Sequence, residues 1–266
     1  MKNKTLLYLL LVGLLVPAMA GATALEELAR LLDSADSAER LDALRRIAVE
    51  YPAEGLPYLI RAAGDDDEYV RERAVQGLGI SGSPRAVDPV RHALNDRDAF
   101  VRWRAVQAVG RLGDKGAVEA LAGCALDECW RVRVGAFEVL GGIGGSRAGS
   151  VLVRGLGDPD ERVRLAAAAA LARNEDSSAL PVLLDLLKNG SMFVRDGAAI
   201  ALGNLGDTAA VEPLIKAVAD PRNAIELDGR DWARWGAIKS LVELTGQNFG
   251  MDAEKWNQWW KDNKPE

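Results

Sequence analysis

The apolar residues of the chain recur at the spacing of short amphipathic helices. Residues 65–95 hold two such stripes, each with three- and four-residue steps. The first comprises Val70, Ala74 and Leu78, and the second comprises Val87, Val90 and Leu94. This pattern predicts two consecutive helices of about ten residues each.

Polar and small residues mark the expected ends of these two helices. Asp67 can cap the first helix, because its carboxylate can accept hydrogen bonds from the amides of the first turn. Gly79 and Gly82 bracket the predicted end of that helix, where only glycine adopts a left-handed conformation cheaply. Ser83 is placed to cap the second helix.

The same pattern repeats along the chain with a period of 31 residues. A Val-Arg pair marks each period, at Val70-Arg71, Val101-Arg102, Val132-Arg133, Val163-Arg164 and Val194-Arg195. An alanine follows three residues after each arginine. The register extends back to Arg40 and, after an insertion of eight residues, forward to Arg234. Seven units are therefore predicted, and they must stack because one helix pair cannot bury its apolar faces alone. We expect an all-α fold, an α-solenoid.

The repeat resembles the HEAT repeat, in the short variety first associated with phycobilin-lyase subunits. The pattern Asp…Val-Arg-x-x-Ala…Leu-Gly carries this resemblance over roughly residues 26–245. It implies a HEAT/armadillo-like superhelix. It also implies that an aspartate and the arginine six residues later form a hydrogen-bonded ladder between repeats. The matching pairs are Asp65/Arg71, Asp96/Arg102, Asp127/Arg133 and Asp158/Arg164.

The N-terminal segment differs from the repeats. Lys2 and Lys4 precede an apolar run over residues 6–16, and small residues end at Ala20. This order is typical of a signal peptide, and the apolar run is too short to span a bilayer. We expect a signal peptide over residues 1–20 with cleavage near Ala20, a periplasmic or secreted chain, and no stable membrane insertion afterwards. A retained N-terminal anchor is the alternative.

Charge narrows the range of partners. The chain is 48% hydrophobic and 27% charged, with a net charge of −6 that becomes −8 without residues 1–20. Such a charge disfavours nucleic-acid binding, which needs lysine and arginine to displace the counterions of phosphate. We expect no nucleic-acid partner.

Few residues are candidates for chemistry. His92 is the one histidine in the sequence, so neither a histidine metal cluster nor a Ser-His-Asp set is predicted. We expect no enzyme activity, cofactor or metal. In an exported chain, Cys124 and Cys129 could form a disulfide. The alternative is two thiols.

The C-terminal segment departs from the repeat. Trp256, Trp259 and Trp260 fall on one face of a short predicted helix. The sequence predicts a solenoid over residues 21–245 and a capping segment over residues 246–266. An aromatic site for a small ligand is the alternative, because tryptophan offers a broad apolar surface with a polar edge.

Candidate binding residues lie on the predicted second helices and at the insertion around residues 221–230, because insertions in repeats often map to the binding face. They are Arg91, His92, Arg154, Leu184, Asp185, Ile215, Lys216, Arg222 and Trp232. Leu184 and Ile215 suggest a hydrophobic groove. The sequence thus favours a protein-binding scaffold of the cell envelope. A lyase or lyase-accessory role, like that of the phycobilin-lyase relatives, is the alternative.

Overall fold

The computed structural model describes residues 24–223, 226–227 and 230–264, and it is built almost entirely of helices there. The predicted signal peptide lies outside the described residues. The chain forms two compact units, of which the first ends at Asp114 and the second begins at Lys115. Within the described ranges, no helix is both long and apolar enough to cross a membrane.

The first unit consists of stacked helix pairs. Its helices are α1 (24–31), α2 (Ser37–Glu50), α3 (Leu56–Ala62), α4 (Glu68–Ser81), α5 (Val87–Ala93) and α6 (Ala99–Leu112). The long helix α4 packs against the short helix α5 of its own repeat and against α2 and α6. The prediction of two helices per repeat is confirmed here, with a long first helix and a short second one.

The second unit continues the alternation. Its helices are α7 (Val118–Cys124), α8 (Trp130–Ile143), α9 (Gly145–Gly155), α10 (Glu161–Arg173), α11 (Leu180–Asn189), α12 (Met192–Leu205), α13 (Val211–Ala219), α14 (Trp232–Thr245) and α15 (Ala253–Asn263). First helices pack on first helices, as α10 does on α12. Second helices do the same, as α11 does on α13 and α13 on α15. The fold class is therefore the predicted α-solenoid.

The insertion forms a small hairpin between α13 and α14. Strand β1 (Glu226–Leu227) pairs antiparallel with β2 (Arg230–Asp231), and Leu227 lies opposite Arg230. Before it, residues Pro221–Asn223 form a single 3-10 turn directly after α13. The turn therefore brings the start of the insertion against the end of a second helix.

Asp67 caps α4 as predicted, whereas Ser83 caps the short 3-10 turn before α5 and not α5 itself. The Asp67 carboxylate accepts hydrogen bonds from the amides of Tyr69 (2.9 Å) and Val70 (3.1 Å) at the start of α4. Ser83 accepts one from the amide of Arg85, in the short turn that leads into α5. These bonds satisfy first-turn amides that have no partner within the helix.

Gly79 has a different role from the one predicted. Helix α4 continues through it to Ser81 and ends at Gly82, whose φ of 61° is left-handed. A Cβ built on Gly79 would lie 2.7 Å from the Cβ of Ala108 on α6. Glycine is required at residue 79 because two first helices approach closely there, and the helix ends three residues later.

Candidate functional site

A groove in the second unit brings together three of the residues predicted to bind. It has a volume of about 440 Å³ and lies between α11 and α13, closed at one end by the turn after α13. We call it the second-unit groove. Its lining residues are Leu184, Leu187, Lys188, Pro213, Lys216, Ala217, Asp220 and Arg222.

The floor of the second-unit groove is apolar. Leu184 and Pro213 are half-buried, so they remain accessible from the groove. Leu187 and Ala217 are buried more deeply, at 5% and 7% exposure. These four side chains form an apolar surface for a bound molecule. An apolar group that covers this surface gains roughly 25 cal/mol of free energy for each Å² that it removes from water.

The rim of the groove is basic. Lys188 lies in the last turn of α11, Lys216 lies in the last turn of α13, and Arg222 follows α13. The Lys216 ammonium lies 3.2 Å from the Glu212 carboxylate, in an exposed pair one helical turn apart. Such exposed pairs contribute less than about 1 kcal/mol, so a ligand carboxylate can replace Glu212.

Arg222 is held in place by three contacts. Its guanidinium donates to the Asp220 carboxylate at 2.6 Å and to the carbonyl oxygen of Lys188 at 3.1 Å. Its own carbonyl oxygen accepts a 3.1 Å hydrogen bond from Arg195, a buried side chain of α12. These contacts fix the turn against the end of α11, so the groove has a defined wall on that side.

Asp220 is the one carboxylate among the described residues that line the groove. The hydrogen bond from Arg222 lowers the pKa of Asp220 below its ordinary value, and this outweighs the opposing effect of burial. A carboxylate with a lowered pKa is a weak base. Asp220 is therefore suited to orienting Arg222 and poorly suited to general-base catalysis near neutral pH.

The residue pattern predicted Leu184, Lys216 and Arg222 as binding residues but did not indicate the other residues that line the groove. Lys188 lies four residues after Leu184, and Asp220 lies four residues after Lys216. Residues four apart share a helix face. The residues one turn after Leu184 and Lys216 would therefore have indicated Lys188 and Asp220.

The first unit contains a groove at the equivalent repeat position. This first-unit groove has a volume of about 720 Å³ and lies between α3 and α5. Ile60, Gly64 and His92 line it, and they precede Leu184, Lys188 and Lys216 by four repeats. His92 is exposed there. The other charged residues of this groove are Arg61, Asp65, Asp66, Arg71, Asp88, Asp96 and Arg97.

The predicted aspartate–arginine ladder connects the repeats in a different register. The Arg71 guanidinium donates to the Asp96 carboxylate of the next repeat, at 2.8 and 3.0 Å, and to the carbonyl oxygen of Asp65 at 2.8 Å. Arg133 does the same with Asp158 and Asp127. Arg102 and Arg164 likewise donate to the carbonyl oxygens of Asp96 and Asp158.

The prediction that each arginine pairs with the carboxylate six residues earlier was therefore wrong in register. The Asp65 carboxylate faces the preceding repeat, where it accepts from Arg40 at 2.8 Å and 2.9 Å. Its Oδ1 also accepts from the amide of Asp67. Arg71 donates to the carbonyl oxygen of Asp65, and it binds the carboxylate 25 residues further on.

The ladder pair is buried and is held in its charged form by hydrogen bonds. The side chains of Arg71 and Asp96 are 5% and 11% exposed. Burial raises the pKa of Asp96, but the hydrogen bond from Arg71 and the one from the Asp98 amide lower it further, so the pKa lies below its ordinary value. The charged pair is thus the stable form at neutral pH.

The remaining predicted binding residues do not gather at one site. Arg91 forms a two-pronged pair with Asp114, with both distances at 2.6 Å, and so takes part in the packing of the first unit. Asp185 is exposed and accepts from Asn189, and Arg154 is exposed on α9. Trp232 begins α14, and its side chain lies outside the described residues.

Ile215 was wrongly predicted to line an accessible groove. Its side chain is 0% exposed, whereas Leu184, which occupies the same position one repeat earlier, is half-buried. Helix α13 is covered by α14 and α15, and α11 packs on it as well. This packing turns Ile215 into a core residue.

The tryptophans of α15 serve packing. Trp256 is fully buried, donates to the carbonyl oxygen of Gly250 at 2.9 Å and contacts the ring edge of Phe249 at a centroid distance of 4.9 Å. Trp259 and Trp260 are half-buried next to it. Because α15 packs on α13, it occupies the place of the second helix in the last repeat. These contacts favour a capping role for α15 over an aromatic ligand site.

The two cysteines are thiols in the structure. Cys124 is buried in the last turn of α7, and Cys129 is half-buried just before α8. The disulfide that the sequence left open is not formed. Among the described residues, no group of three or more histidine, cysteine, aspartate or glutamate side chains could hold a metal ion.

Solved structures with the same fold include two natural repeat proteins. The complex of CpcE and CpcF of phycocyanin lyase from Nostoc sp. PCC7120 is 23% identical with a TM-score of 0.53, over 90% of this chain and 94% of that one. The archaeal HEAT-like repeats protein from Thermococcus onnurineus NA1 is 20% identical with a TM-score of 0.54, over 84% and 97%. At this identity the likeness shows the fold alone.

The sequence itself matches a family model. A search of curated proteins found no significant relative. The model described as HEAT repeats matches residues 25–108, 91–172 and 150–241, which together cover most of the chain. These matches span the helix pairs from α2 to α13 and the greater part of α14. The chain therefore belongs to the HEAT-repeat family.

Proposed function

We propose that the chain is a non-catalytic, protein-binding scaffold and that the second-unit groove is its binding site. The observation that carries this proposal is the combination of an accessible apolar floor with a basic rim in one groove of about 440 Å³. Binding sites are commonly grooves of roughly 300–1,000 Å³ with apolar walls and few oriented polar groups. A peptide segment of a partner protein fits this description.

The polar groups of the groove favour binding over catalysis. Asp220 is tied to Arg222, which lowers its pKa and makes it a poor proton acceptor near neutral pH. Lys188 and Lys216 offer charge at the rim, where charged groups chiefly steer partners and set specificity. These features support recognition of a partner, with no chemical step required.

Site-specific photo-crosslinking in intact cells tests this proposal. A photoreactive phenylalanine analogue replaces Leu184, and a matched control carries the same analogue at Ile60, the equivalent position of the first-unit groove. We expect one protein to be crosslinked reproducibly from residue 184 and not from residue 60. Crosslinks from neither residue, or from residue 60 alone, would overturn the assignment of the groove.

We also propose that the chain works in the cell envelope, after export and cleavage near Ala20. The order of basic, apolar and small residues in residues 1–20 supports this location. N-terminal sequencing of the protein purified from cells tests it. A mature chain that begins close to residue 21 in an envelope fraction is the expected result, and a cytosolic chain that still begins at Met1 would contradict it.

A lyase or lyase-accessory role is the second candidate. The likeness to the CpcE–CpcF complex of phycocyanin lyase favours it, because the shared fold extends over 90% of this chain. The absorption spectrum of the purified chain separates the two candidates. A scaffold gives only protein absorption, whereas a bound coloured molecule at a stoichiometric amount would favour the lyase role.

A further inference from the structure

We propose that the second-unit groove binds an acidic segment of the partner protein, with one large apolar side chain of that segment on the groove floor. This inference rests on the proposed function and names the chemistry of the partner.

The charges that line the groove do not balance. Among the residues that the structure describes, three cations, Lys188, Lys216 and Arg222, line it together with one carboxylate, Asp220. That carboxylate is already bonded to Arg222. Lys188 forms no ion pair with any residue that the structure describes, and Lys216 is paired only with the exposed Glu212. A ligand with carboxylates would therefore supply counter-charges that the described residues do not supply.

This basic groove belongs to a chain whose net charge is −6. The equivalent groove of the first unit has the opposite balance, with four aspartates and three arginines among its lining residues. Basic character is therefore not a general property of the repeat position. It arises from the residues that these two neighbouring repeats carry, chiefly the lysines in place of Gly64 and His92.

The apolar floor of the groove favours a partner segment that carries an apolar side chain between its acidic residues. Leu184 and Pro213 remain accessible, with Leu187 and Ala217 beneath them. A leucine or phenylalanine side chain that covers Leu184 and Pro213 would remove apolar surface from water, which favours binding. An apolar anchor with flanking acidic residues thus matches both parts of the groove.

Arg222 is ordered before any ligand arrives. Asp220 and the Lys188 carbonyl oxygen hold its guanidinium, and Arg195 holds its backbone. Binding therefore loses little conformational entropy at this side chain, which favours affinity. The ladder position Arg195 connects this wall of the groove to the core of the second unit.

Fluorescence anisotropy with labelled synthetic peptides tests the inference on the full chain. The probe is a short peptide with a central phenylalanine flanked by glutamates, and two companion peptides carry lysines for the glutamates or serine for the phenylalanine. We expect saturable binding of the acidic phenylalanine peptide, weakened by added salt. Each companion peptide should bind at least about tenfold more weakly.

Charge reversal locates the site. The double variant Lys188→Glu/Lys216→Glu should weaken the acidic peptide by at least about tenfold. The control Lys239→Glu/Lys261→Glu makes the same charge change: Lys239 pairs one turn away as Lys216 does, and Lys261 lies in a last helical turn as Lys188 does. This control should bind within about twofold of the unaltered chain.

Two results would overturn the inference. One is an acidic peptide that binds no better than its lysine counterpart, and the other is equal loss of binding in the groove variant and in its control. Either result leaves the photo-crosslinking at Leu184 untouched. If a partner is crosslinked there while the acidic peptide fails, the scaffold proposal stands and only the chemistry assigned to the partner falls.

Discussion

The two grooves occupy the same repeat position, four repeats apart, yet the residues that line them make different contacts. In the first-unit groove, Asp96 is engaged by the buried Arg71, and Ala63 and Gly64 stand where the second-unit groove has Leu187 and Lys188. In the second-unit groove, the residue equivalent to Asp96 is Asp220, which pairs with the exposed Arg222 of the insertion.

The aspartate at this repeat position therefore has a different arginine partner in each groove, and its structural role follows from that partner. A carboxylate bonded to a buried arginine holds two repeats together. A carboxylate bonded to an exposed arginine instead orients a side chain at the rim of a groove. Arg222 lies in the turn at the start of the insertion, so the insertion contributes one residue to the rim of the second-unit groove.

The largest effect is expected from breaking the ladder in the first unit. Arg71→Met leaves the buried Asp96 carboxylate without its guanidinium partner, which should lower the free energy of unfolding by about 3–5 kcal/mol. Urea denaturation followed by circular dichroism measures the change. Lys216→Met, on the rim of the second-unit groove, should shift the same quantity by no more than about 0.5 kcal/mol. Similar losses in both variants would refute the distinction between the grooves.

The second effect separates the core from the groove floor in the second unit. Ile215→Ala empties a fully buried site and should cost about 3 kcal/mol of unfolding free energy. Leu184→Ala removes a half-buried side chain and should cost about 1 kcal/mol while weakening peptide binding. Thermal unfolding and peptide anisotropy on both variants give the comparison. An unaltered stability in Ile215→Ala would show that this residue faces the groove after all.

These residues also show how far the sequence reaches. The repeat, the helix pairs and the cap at Asp67 follow from a strict period of 31 residues, since each repeat must present the same stripe to its neighbours. The fold could therefore be predicted. The register of the ladder could not, because the sequence places Asp65 and Arg71 in one repeat but does not say which way either side chain points.

The site was predictable only in part. Ile215 and Leu184 occupy the same repeat position, and the repeat pattern alone predicts the same environment for both. The packing of α15 on α13 makes them different, and α15 lies outside the repeat pattern that the sequence displays. The hydrogen bond from Arg222 to the carbonyl oxygen of Lys188 depends on the path of the chain after α13. The repeat pattern does not predict this path, because the chain departs from the pattern at the insertion.

A smaller effect concerns pH. The pKa of Asp96 and that of Asp220 are both lowered from 3.8 in the folded chain, so each group contributes stability above its unfolded pKa. This stability is lost as the pH falls below about 4 and through the lowered folded pKa. We expect Asp96→Asn to cost about 2 kcal/mol at pH 7, with a cost that shrinks steadily in acid.

Asp220→Asn should cost less than about 1 kcal/mol at pH 7, because its partner Arg222 is largely exposed and solvent screens the pair. Melting temperatures of both variants and of the unaltered chain, taken between pH 2.5 and pH 7, measure the two contributions. If the Asp220 variant loses as much stability as the Asp96 variant, the carboxylate of the second-unit groove is a ladder residue and not a rim residue.

The smallest expected effect tests whether the first-unit groove can accept the side chains of the second. Lys188 shows that the position of Gly64 tolerates a side chain in one repeat. A Cβ built on Gly64 would meet nothing nearer than the carbonyl oxygen of Arg61 at 3.6 Å, an ordinary contact. Gly64→Ala should therefore raise the unfolding free energy by about 0.4–1 kcal/mol, because the unfolded chain loses conformational freedom. Gly79→Ala is the control, and it should destabilise the protein because its Cβ would meet Ala108 on the facing helix. Urea midpoints that fall in both variants would mean that glycine is needed at residue 64 as well, and that the two grooves differ in backbone as well as in side chains.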